Sequence, residues 1–333
     1  MEKILIVGPT FFGYRSAVAA ELRAMGMAVT EIDDRPSESI LFKSAAKVGF
    51  RVLEMMIGDY ADRLSAMLRV GNYDRVIYLG GMSFCFNRSQ IAKLRSCTNA
   101  RFVAALWDSM ENCRRFKTCL SFFDHVYSFD FDDCQRYGME FRPLFYLKCY
   151  SELPGRLPEE EFKYDACFVG SVHQPSKFKA VLEINRALEL QGLRVFAYYY
   201  LPSKSIELYR KIASRATYRG IKFQHRALAP SQIAEIFSKS RAIVDAPQLR
   251  QSGLTIRSIE AVGASRKLIT TNQSISKYSF YEYGNVYIWD GTALPESRFF
   301  AEPYCDLPRS IYDAYSVRSF ALALLEEGDS FVL

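Results

Sequence analysis

The stretch RAIVDAPQLRQSGLTIRSIEAVGASRKLITTN, residues 241–272, decides the fold that the sequence predicts. The apolar run at residues 242–246 predicts a buried strand, and the polar loop at residues 248–253 leads into a helix. Another apolar run at residues 267–271 predicts that the chain then returns to the sheet as a second strand. A strand, a helix and a strand in this order are typical of a parallel sheet covered by helices.

The loop of this unit has the composition of a phosphate-binding site. Ser252 is a good helix cap, and Gly253 lets another molecule approach the first amides of a helix that begins at Leu254. Those amides and the positive end of the helix dipole attract phosphate. The predicted phosphate site comprises Gln251, Ser252, Gly253, Leu254 and Thr255. The alternative is a glycine that serves only packing, because short motifs of this kind recur throughout α/β proteins.

Two charged residues follow on the same helix. Arg257 and Glu260 are three residues apart, so both project from one side of it. A cation close to the helix start suits a diphosphate, and a carboxylate one turn later can accept hydrogen bonds from ribose hydroxyls. The pair therefore predicts a site for a nucleoside diphosphate, with a solvated Glu260 as the alternative.

Length and composition narrow the class of protein. A chain of 333 residues, of which 49% are apolar and 24% charged, fits two globular domains of ordinary size. No apolar run reaches the length of a membrane span, and the N-terminal residues form a strand pattern without the cleavage region of a signal peptide. We therefore expect a cytoplasmic protein.

Cysteine, histidine and net charge bear on metals and partners. The eight cysteines show no C-x-x-C spacing and there are only three histidines, so we expect reduced thiols and no metal site. The formal net charge of +6 favours acidic ligands or an anionic surface and does not require nucleic acid as a partner.

Apolar runs alternate with helical segments along the whole chain. The predicted strands lie at residues 3–7, 28–32, 75–79, 102–106 and 125–129, and then at residues 166–169, 194–199, 221–224, 242–246, 267–271 and 286–289. Asn87 and Gln90 form a helix-capping pair. We predict an α/β protein of two doubly wound, Rossmann-like domains that face one another across a cleft. The predicted parts are a first domain at residues 1–150, a linker at 151–163, a second domain at 164–307, and a C-terminal helix within 308–333 that packs back towards the first domain.

Three segments carry a family resemblance. YDACFVGS at residues 164–171 and SGLTIRSIEAVGASRKLITTN at residues 252–272 resemble the donor domain of GT-B glycosyltransferases. ALWDSMENCRRFKTCLSFFDHVYSFDFDDCQRYG at residues 105–138 resembles a segment of the first domain of the same enzymes. The likeness is greatest to bacterial enzymes that build capsule, exopolysaccharide or lipopolysaccharide, and to spore-maturation-type relatives. It implies the GT-B fold, a nucleotide-sugar donor held by the second domain, an acceptor held by the first, and neither a metal nor a cofactor.

The resemblance also implies roles for residues of the donor site. Gly170 and Ser171 would let the donor phosphates approach, and Lys177, where relatives often have Arg, would neutralise them. A solvated lysine on a helix surface is the alternative for Lys177. The nucleobase would meet the loop formed by Arg226, Ala227 and Leu228. Many relatives have two glutamates eight positions apart where this chain has Ser252 and Glu260, which leaves inverting and retaining chemistry both open.

Asp108 is the first candidate for the catalytic base. It follows the strand at residues 102–106, at the carboxyl edge where α/β sheets place ligands. Glu111, one turn later, is the second candidate, and Trp107 could stack on an acceptor sugar. The alternative role for Asp108 is the N-cap of a helix that begins near Met110. Asp132, after the next strand, is expected to cap a helix.

The loop after the first strand admits two interpretations. Gly8 to Gly13 could hold the dinucleotide of a dehydrogenase, with Asp33 or Asp34 at the ribose. The loop is not G-x-G-x-x-G, however, and the aromatic pair at positions 11 and 12 would obstruct a pyrophosphate. In the GT-B interpretation the same loop meets the acceptor, and its acceptor-binding residues are Gly8, Thr10, Phe11 and Gly13, with Trp107 from the later strand end.

A basic ridge suggests a membrane partner. Lys43, Lys47 and Arg51 recur every four residues in a helix predicted at residues 38–57, which is followed by another helix at residues 60–70. Such a ridge can contact the anionic inner face of the plasma membrane or a polyprenyl-diphosphate-linked acceptor. The alternative is that the ridge is only the solvent-exposed face of a helix whose other face packs on the core.

The sequence thus favours a metal-independent glycosyltransferase of the hexosyltransferase type. It would move a sugar from a nucleotide-diphosphate sugar to a glycan or lipid-linked acceptor in bacterial surface polysaccharide synthesis. A nucleotide-sugar epimerase of GT-B fold and a non-catalytic protein that binds a nucleotide or glycan are the alternatives.

Overall fold

The computed structural model describes residues 1–10, 13–36, 50–153, 161–213, 218, 220–248, 251–293, 295–326, 328 and 331. The chain divides into two compact units. The first contains Met1–Pro143 together with Val317–Val332, and the second contains Leu144–Ser316. The chain therefore passes from one unit to the other between residues 143 and 144, ahead of the linker that the sequence placed at residues 151–163.

The first unit is built on a six-stranded parallel sheet. Its elements are β1 (Lys3–Val7), α1 (Tyr14–Ala24), β2 (Ala28–Ile32), α2 (Phe50–Gly71), β3 (Arg75–Gly80), α3 (Arg88–Ser96), β4 (Arg101–Leu106), α4 (Arg114–Cys119), β5 (His125–Ser128), α5 (Phe131–Tyr137) and β6 (Glu140–Phe141). The strand order is β2-β1-β3-β4-β5-β6. Every side chain of β3 and β4 after the first arginine is buried, which explains why a continuous apolar run was enough to predict both strands.

The strands and the capping pair predicted in this unit are confirmed, whereas one prediction about its helices is wrong. The five predicted strands coincide with β1 to β5 to within one residue. Asn87 accepts from the Gln90 amide and the Gln90 side chain accepts from the Asn87 amide, so the predicted capping pair is confirmed. The expectation of two helices around Gly58 is wrong, because α2 runs through this glycine without a break. A glycine inside a helix costs only about 1 kcal/mol, which the packing of Ile57 and Leu64 in the core can offset.

The second unit is built on another six-stranded parallel sheet. Its elements are α6 (Lys148–Ser151), β7 (Tyr164–Ser171), α7 (Pro175–Leu190), β8 (Val195–Tyr200), α8 (Lys204–Ala213), β9 (Phe223–Gln224), α9 (Pro230–Ser238), β10 (Ser240–Asp245), α10 (Ile256–Gly263), β11 (Lys267–Thr270), β12 (Val286–Ile288), α11 (Ser297–Ala301) and α12 (Arg309–Ala314). The strand order is β12-β11-β10-β7-β8-β9. All six predicted strands are present, with ends that differ by up to two residues. The prediction of two doubly wound α/β domains is confirmed.

The order of strands places a reversal point in each sheet. In the second sheet the chain runs outwards from β7 through β8 to β9 and then returns to the other side of β7 as β10. In the first sheet the same reversal lies between β1 and β3. Ligands of open α/β sheets bind outside the carboxyl ends of the strands at such a point. We therefore expect the second unit to bind its ligand at the carboxyl ends of β7 and β10.

The C-terminal region forms two helices rather than the single one predicted within residues 308–333. α12 lies in the second unit, and the last helix, α13 (Val317–Leu324), lies in the first. The Tyr127 hydroxyl donates to the carbonyl of Ala323 at 2.7 Å, which anchors α13 beside β5. The helix is interrupted at Tyr315, whose buried carbonyl accepts from the Tyr146 amide at 2.9 Å.

None of the helices that the structure describes has both the length and the apolar character needed to cross a bilayer.

Candidate functional site

A buried carboxylate organises the reversal point of the second sheet. Asp245, the last residue of β10, is 1% exposed. Its Oδ1 lies 3.3 Å from the Lys177 ammonium, and its Oδ2 accepts from the hydroxyl of Ser258 at 3.0 Å and from the hydroxyl of Thr255. Burying a carboxylate is costly unless it is paired and hydrogen-bonded. The three donors meet that requirement, and they bind α7, β10 and α10 together at the carboxyl edge.

Helix α10 begins later than the sequence predicted. Its first residue is Ile256, and its N-cap is Thr255, whose side chain accepts from the Ser258 amide. The expectations that Ser252 caps the helix and that Leu254 begins it are both wrong. Leu254 is buried at 1% exposure, and the Thr255 hydroxyl can cap the helix while donating to Asp245. The amides of the first turn of α10 therefore emerge beside the Asp245 carboxylate and the Lys177 ammonium.

The loop ahead of α10 is held in place by side-chain amides. The carbonyl of Gly253 accepts from the Gln251 side chain at 3.0 Å and from the Asn272 side chain at 3.1 Å. Gln174, the N-cap of α7, donates to Gln248 at 2.9 Å. A pocket of about 380 Å³ opens next to these residues, which is the size of a small ligand site. Its polar lining includes Ser176, Lys177, Gln248, Gln251, Asn272 and Ser274.

Lys177 is not the solvated helix lysine of the alternative interpretation. It lies in the first turn of α7, two residues after Pro175, and its side chain is 17% exposed. Lys179, two residues later, is 75% exposed and pairs with Glu183 on the surface. The positive charge of Lys177 is thus directed to the sheet edge, where an anionic ligand would meet it.

Arg257 and Glu260 are partners of one another. Glu260 is completely buried, and its Oε2 lies 2.5 Å from Arg257 Nη1. The Arg257 guanidinium also lies over the Phe237 ring, 5.4 Å from its centroid. The alternative interpretation, in which Glu260 is solvated, is therefore wrong. A ribose or a diphosphate that reaches either residue must share or exchange this ion pair.

The end of β7 carries a second polar group. Gly170 and Ser171 are the last residues of the strand, and the Ser171 hydroxyl lies 2.8 Å from His173 Nδ1. Burial, together with the charges of Lys177 and Arg210, lowers the pKa of His173. The imidazole is thus held neutral close to two cations.

The loop predicted to meet the nucleobase follows β9 at the far side of the sheet. Arg226 and Ala227 are exposed and Leu228 is half-buried. The Tyr198 hydroxyl donates to the Arg226 carbonyl at 2.8 Å and so ties the loop to β8. A carbonyl oxygen has two lone pairs, so the Arg226 oxygen can accept a further hydrogen bond.

In the first unit, Asp108 lies at the carboxyl end of β4. Its Oδ2 accepts from the Met82 amide at 3.0 Å, and burial raises the pKa of the carboxyl although this hydrogen bond opposes the rise. A Cβ on Gly81 would lie 2.6 Å from the Asp108 Cβ, so only glycine lets the β3 loop come this close. The N-cap alternative for Asp108 is wrong, because α4 begins at Arg114 after Cys113.

Glu111 and the acidic residues that follow β5 have different surroundings. Glu111 is exposed, three residues after Asp108. Asp130, rather than Asp132, caps α5 by accepting from the Asp133 amide at 3.2 Å. Asp133 in turn accepts from the Met110 amide at 2.6 Å, which ties the segment after β4 to α5.

A buried arginine forms hydrogen bonds with the start of the predicted acceptor loop and with the end of β2. Arg15 Nη1 donates to the carbonyls of Gly8 and Ile32 at 2.6 and 2.8 Å. Gly13 caps α1 with φ +72°, a conformation that favours glycine, and the Thr10 hydroxyl donates to Asp33 at 3.3 Å. Phe11 lies outside the described residues. Trp107 is half-buried, with its ring centroid 6.4 Å from that of Tyr14.

Comparison with known proteins gives the name of the fold. No protein-family model and no curated protein matches the sequence. A solved alpha-glucosyltransferase in complex with UDP and a 13-mer DNA matches with a TM-score of 0.59 at 13% identity, over 99% of this chain and 96% of that one. A UDP-GlcNAc 2-epimerase from Methanocaldococcus jannaschii matches with a TM-score of 0.57 at 10% identity, over 98% and 100%. A glycosyltransferase from Rickettsia africae ESF-5 matches with a TM-score of 0.55 at 16% identity, over 100% and 94%. The chain has the GT-B fold.

The GT-B fold is shared here by transferases and an epimerase, so the fold does not choose between them. The choice depends on the side chains at the strand ends. Two groups of these were missed by sequence reasoning: Asp245 with Ser258, and His173 with Arg210. The carboxyl-edge rule could have singled out Asp245 as the last residue of a buried strand, but its partner Lys177 is 68 residues away in the chain.

Asp34, which the dehydrogenase interpretation placed at a ribose, is a buried acidic residue of the first unit. It follows β2, is completely buried, and lies 3.2 Å from the Arg35 guanidinium through Oδ1. Burial raises its pKa to about 7, and the neighbouring Asp33 adds to the rise while Ser83 and Arg35 oppose it. A carboxyl group in this state can exchange a proton near neutral pH.

Proposed function

We propose that this chain is a glycosyltransferase of the hexosyltransferase type. It would move a sugar from a nucleoside-diphosphate donor to a glycan or a polyprenyl-diphosphate-linked acceptor during bacterial surface polysaccharide synthesis. The observation that carries the proposal is the cluster around Asp245, which brings Lys177 and the first turn of α10 together at the reversal point of the second sheet. UDP is the ligand of the similar alpha-glucosyltransferase, and the similar epimerase is named for a UDP-sugar.

The donor site follows from these contacts. Lys177 and the amides of α10 would hold the diphosphate, with Gly170, Ser171 and the loop at residues 251–255 around it. Glu260 would accept from the ribose after exchanging its contact with Arg257, and the guanidinium released would then face the phosphates. The backbone at residues 226–228 would meet the base.

The transfer step is a displacement at the anomeric carbon. The acceptor oxygen forms a bond to C1, the bond from C1 to the phosphate oxygen breaks, and the nucleoside diphosphate leaves with the electron pair. Asp108 would take the proton of the acceptor hydroxyl, with Glu111 as the second candidate, and the raised pKa of Asp108 makes it a better base. Gly8, Thr10, Phe11, Gly13 and Trp107 would contact the acceptor.

The charge that develops on the leaving diphosphate needs a cation or a dipole to stabilise it. Lys177 and the positive end of α10 supply both from the chain itself, so we propose catalysis without a metal or a cofactor. We place the protein in the cytoplasm. We also retain peripheral contact with the membrane through Lys43, Lys47 and Arg51 as a prediction; Lys43, Lys47 and the side chain of Arg51 lie outside the described residues.

The test separates transfer from binding. UDP-, GDP-, CMP- and dTDP-linked sugars are incubated with and without a mixture of glycan and lipid-linked acceptors, and the free nucleotide is measured. Release that depends on the acceptor supports transfer. Hydrogen exchange with each donor then locates the site: slower exchange is expected in peptides covering residues 251–260 and not in β5. If none of these donors slows exchange at residues 251–260, the proposed site is wrong.

A nucleotide-sugar epimerase is the second candidate. It is favoured by the match to the UDP-GlcNAc 2-epimerase, whose TM-score is close to that of the alpha-glucosyltransferase. The same incubation distinguishes it, because an epimerase interconverts the sugar without an acceptor. Tight binding with neither product would indicate a non-catalytic protein that binds a nucleotide.

A further inference from the structure

Helix α8 turns its apolar side chains towards solvent. Leu208, Tyr209 and Ile212 are 62%, 71% and 74% exposed. They lie at positions i, i+1 and i+4, so they form one stripe along the helix. A helix on the surface of a globular protein normally buries its apolar stripe. α8 does the opposite.

The charged side of the helix faces the protein and fixes this orientation. Arg210 is 6% exposed and donates to the carbonyls of Val172, at 2.6 Å, and His173. On the same side, Glu207 lies 2.8 Å from His225 Nε2 and also pairs with Lys211. A rotation that buried Leu208 would break the Arg210 contacts and leave two backbone carbonyls without their donor, which is costly. The exposed stripe is therefore built into the fold.

The segment of sequence that contains this stripe carries a formal charge equal to that of the whole chain. Residues 201–226 contain seven basic residues and a single acidic one, Glu207, which gives this segment a formal charge of +6. The formal net charge of the whole chain is also +6, so the other 307 residues sum to zero. Lys204 and Lys222 of this segment are exposed. An apolar stripe with cations around it has the character of an interfacial membrane-binding helix.

We propose that α8 docks the protein on an anionic lipid bilayer. Leu208, Tyr209 and Ile212 enter the interface between headgroups and acyl chains, and Lys204 and Lys222 contact the headgroup phosphates. A nucleic acid would satisfy the cations but would leave the aliphatic side chains without an apolar partner. The ten residues of α8 suffice to lie along the interface and are far too few to cross it. This surface is distinct from the ridge at Lys43, Lys47 and Arg51, and it does not depend on the proposed function.

Docking would also orient the second unit. α8 starts four residues after the end of β8, so the surface begins at the carboxyl edge of the sheet that carries the Asp245 cluster. Arg210 connects α8 to the residues that directly follow β7. A protein held by α8 would thus keep this edge close to the bilayer, which suits an acceptor anchored in lipid.

The test is co-sedimentation of the full chain with vesicles, without donor or acceptor. Vesicles of 70% phosphatidylcholine and 30% phosphatidylglycerol are compared with pure phosphatidylcholine at low and high salt. We expect binding to the anionic vesicles that weakens with salt. The double variant Leu208→Ser/Ile212→Ser should bind about tenfold more weakly. The control is Leu190→Ser on α7, also in the second unit, because Leu190 is 89% exposed but lies outside the basic segment; it should bind like the wild type.

Several results would overturn the proposal. They are the absence of binding to anionic vesicles, equal binding of the double variant and the wild type, and equal losses in the double variant and the control. A dimer in light scattering that the double variant abolishes, without vesicle binding, would assign the stripe to a second copy of the chain. Donor binding measured on the same proteins distinguishes these outcomes from a failure of the proposed function, since the double variant should bind donor normally.

Discussion

The ion pair between Lys177 and Asp245 can be tested by mutation, because we expect its variants to change protein stability and donor affinity in different patterns. Three variants are needed: Lys177→Met, Asp245→Asn and the two together. Lys177→Met removes the cation and leaves the Asp245 carboxylate with only its two hydroxyl donors. Asp245→Asn removes the buried negative charge and leaves the lysine, which is 17% exposed and can be solvated. The double variant contains neither charge.

The magnitudes follow from the contacts. A hydrogen bond to a charged group contributes about 1.5–3 kcal/mol, and removing one member of a buried pair costs more than removing both. We expect each single change to lower the free energy of unfolding by about 2 kcal/mol. The double variant should lose less than either single change, because it leaves neither charge buried without its partner.

Donor binding should follow a different pattern. If Lys177 contacts the diphosphate, Lys177→Met should raise the donor dissociation constant by about 10- to 150-fold. The double variant should show the same loss, and Asp245→Asn should bind within a few-fold of the wild type because it keeps the ammonium group. The ligand effect therefore tracks residue 177 alone, whereas the stability effect involves both residues.

Urea unfolding and calorimetric titration with the donor measure the two quantities. The matched controls are Lys179→Met on the same helix, where the side chain is 75% exposed, and Asp313→Asn, which removes a surface partner of Arg309. Neither control should change stability or affinity measurably. Normal donor affinity in Lys177→Met, or an equal loss in Lys179→Met, would refute the role given to Lys177. Strictly additive losses of stability would refute the contact.

Three further predictions concern other carboxyl groups. Glu260→Gln should weaken donor binding about tenfold, because an amide keeps the shape but not the charge that a ribose hydroxyl and Arg257 require; a donor affinity equal to that of the wild type would remove Glu260 from the site. Asp108→Asn should abolish transfer and spare donor binding in equilibrium titration, and the rate of the wild type should fall as the pH drops through a pKa above the ordinary range of aspartate; near-normal turnover of the variant would move the base to Glu111. Asp34 has a folded pKa of about 7, well above its unfolded value, so its contribution to stability is present at low pH and is lost as the pH rises from about 4 to 7. Asp34→Asn should therefore gain stability over the wild type at pH 8 and show a smaller difference at pH 5, and urea unfolding with no pH dependence of this difference would contradict the assignment.

The strands show why so much of the fold was accessible to sequence reasoning. A strand in the middle of a parallel sheet is buried on both faces, so β3 and β10 appear in the sequence as continuous apolar runs. The capping pair at Asn87 and Gln90 is equally local, because both hydrogen bonds span three residues. A feature that depends on neighbours in the chain is visible in the chain.

The predictions that were wrong concern residues whose contacts lie in other elements of the fold. Ser252 has the chemistry of a helix cap, yet α10 is capped by Thr255, whose hydroxyl also donates to a carboxylate ten residues earlier. The helix predicted within residues 308–333 is interrupted at Tyr315, because the Tyr315 carbonyl accepts from the Tyr146 amide. In both places a contact with a different element overrides the local preference.

Residue order alone thus determined that this protein has two parallel α/β sheets, since strands that are buried on both faces appear in the sequence as continuous apolar runs. It also determined that basic residues collect between positions 201 and 226. That Lys177, Thr255 and Ser258 all reach Asp245 depends on β10 lying beside β7, and that Leu208 faces solvent depends on Arg210 reaching the backbone that follows β7. These contacts join residues that are up to 68 positions apart, so they exist only when the strands are assembled into their sheet.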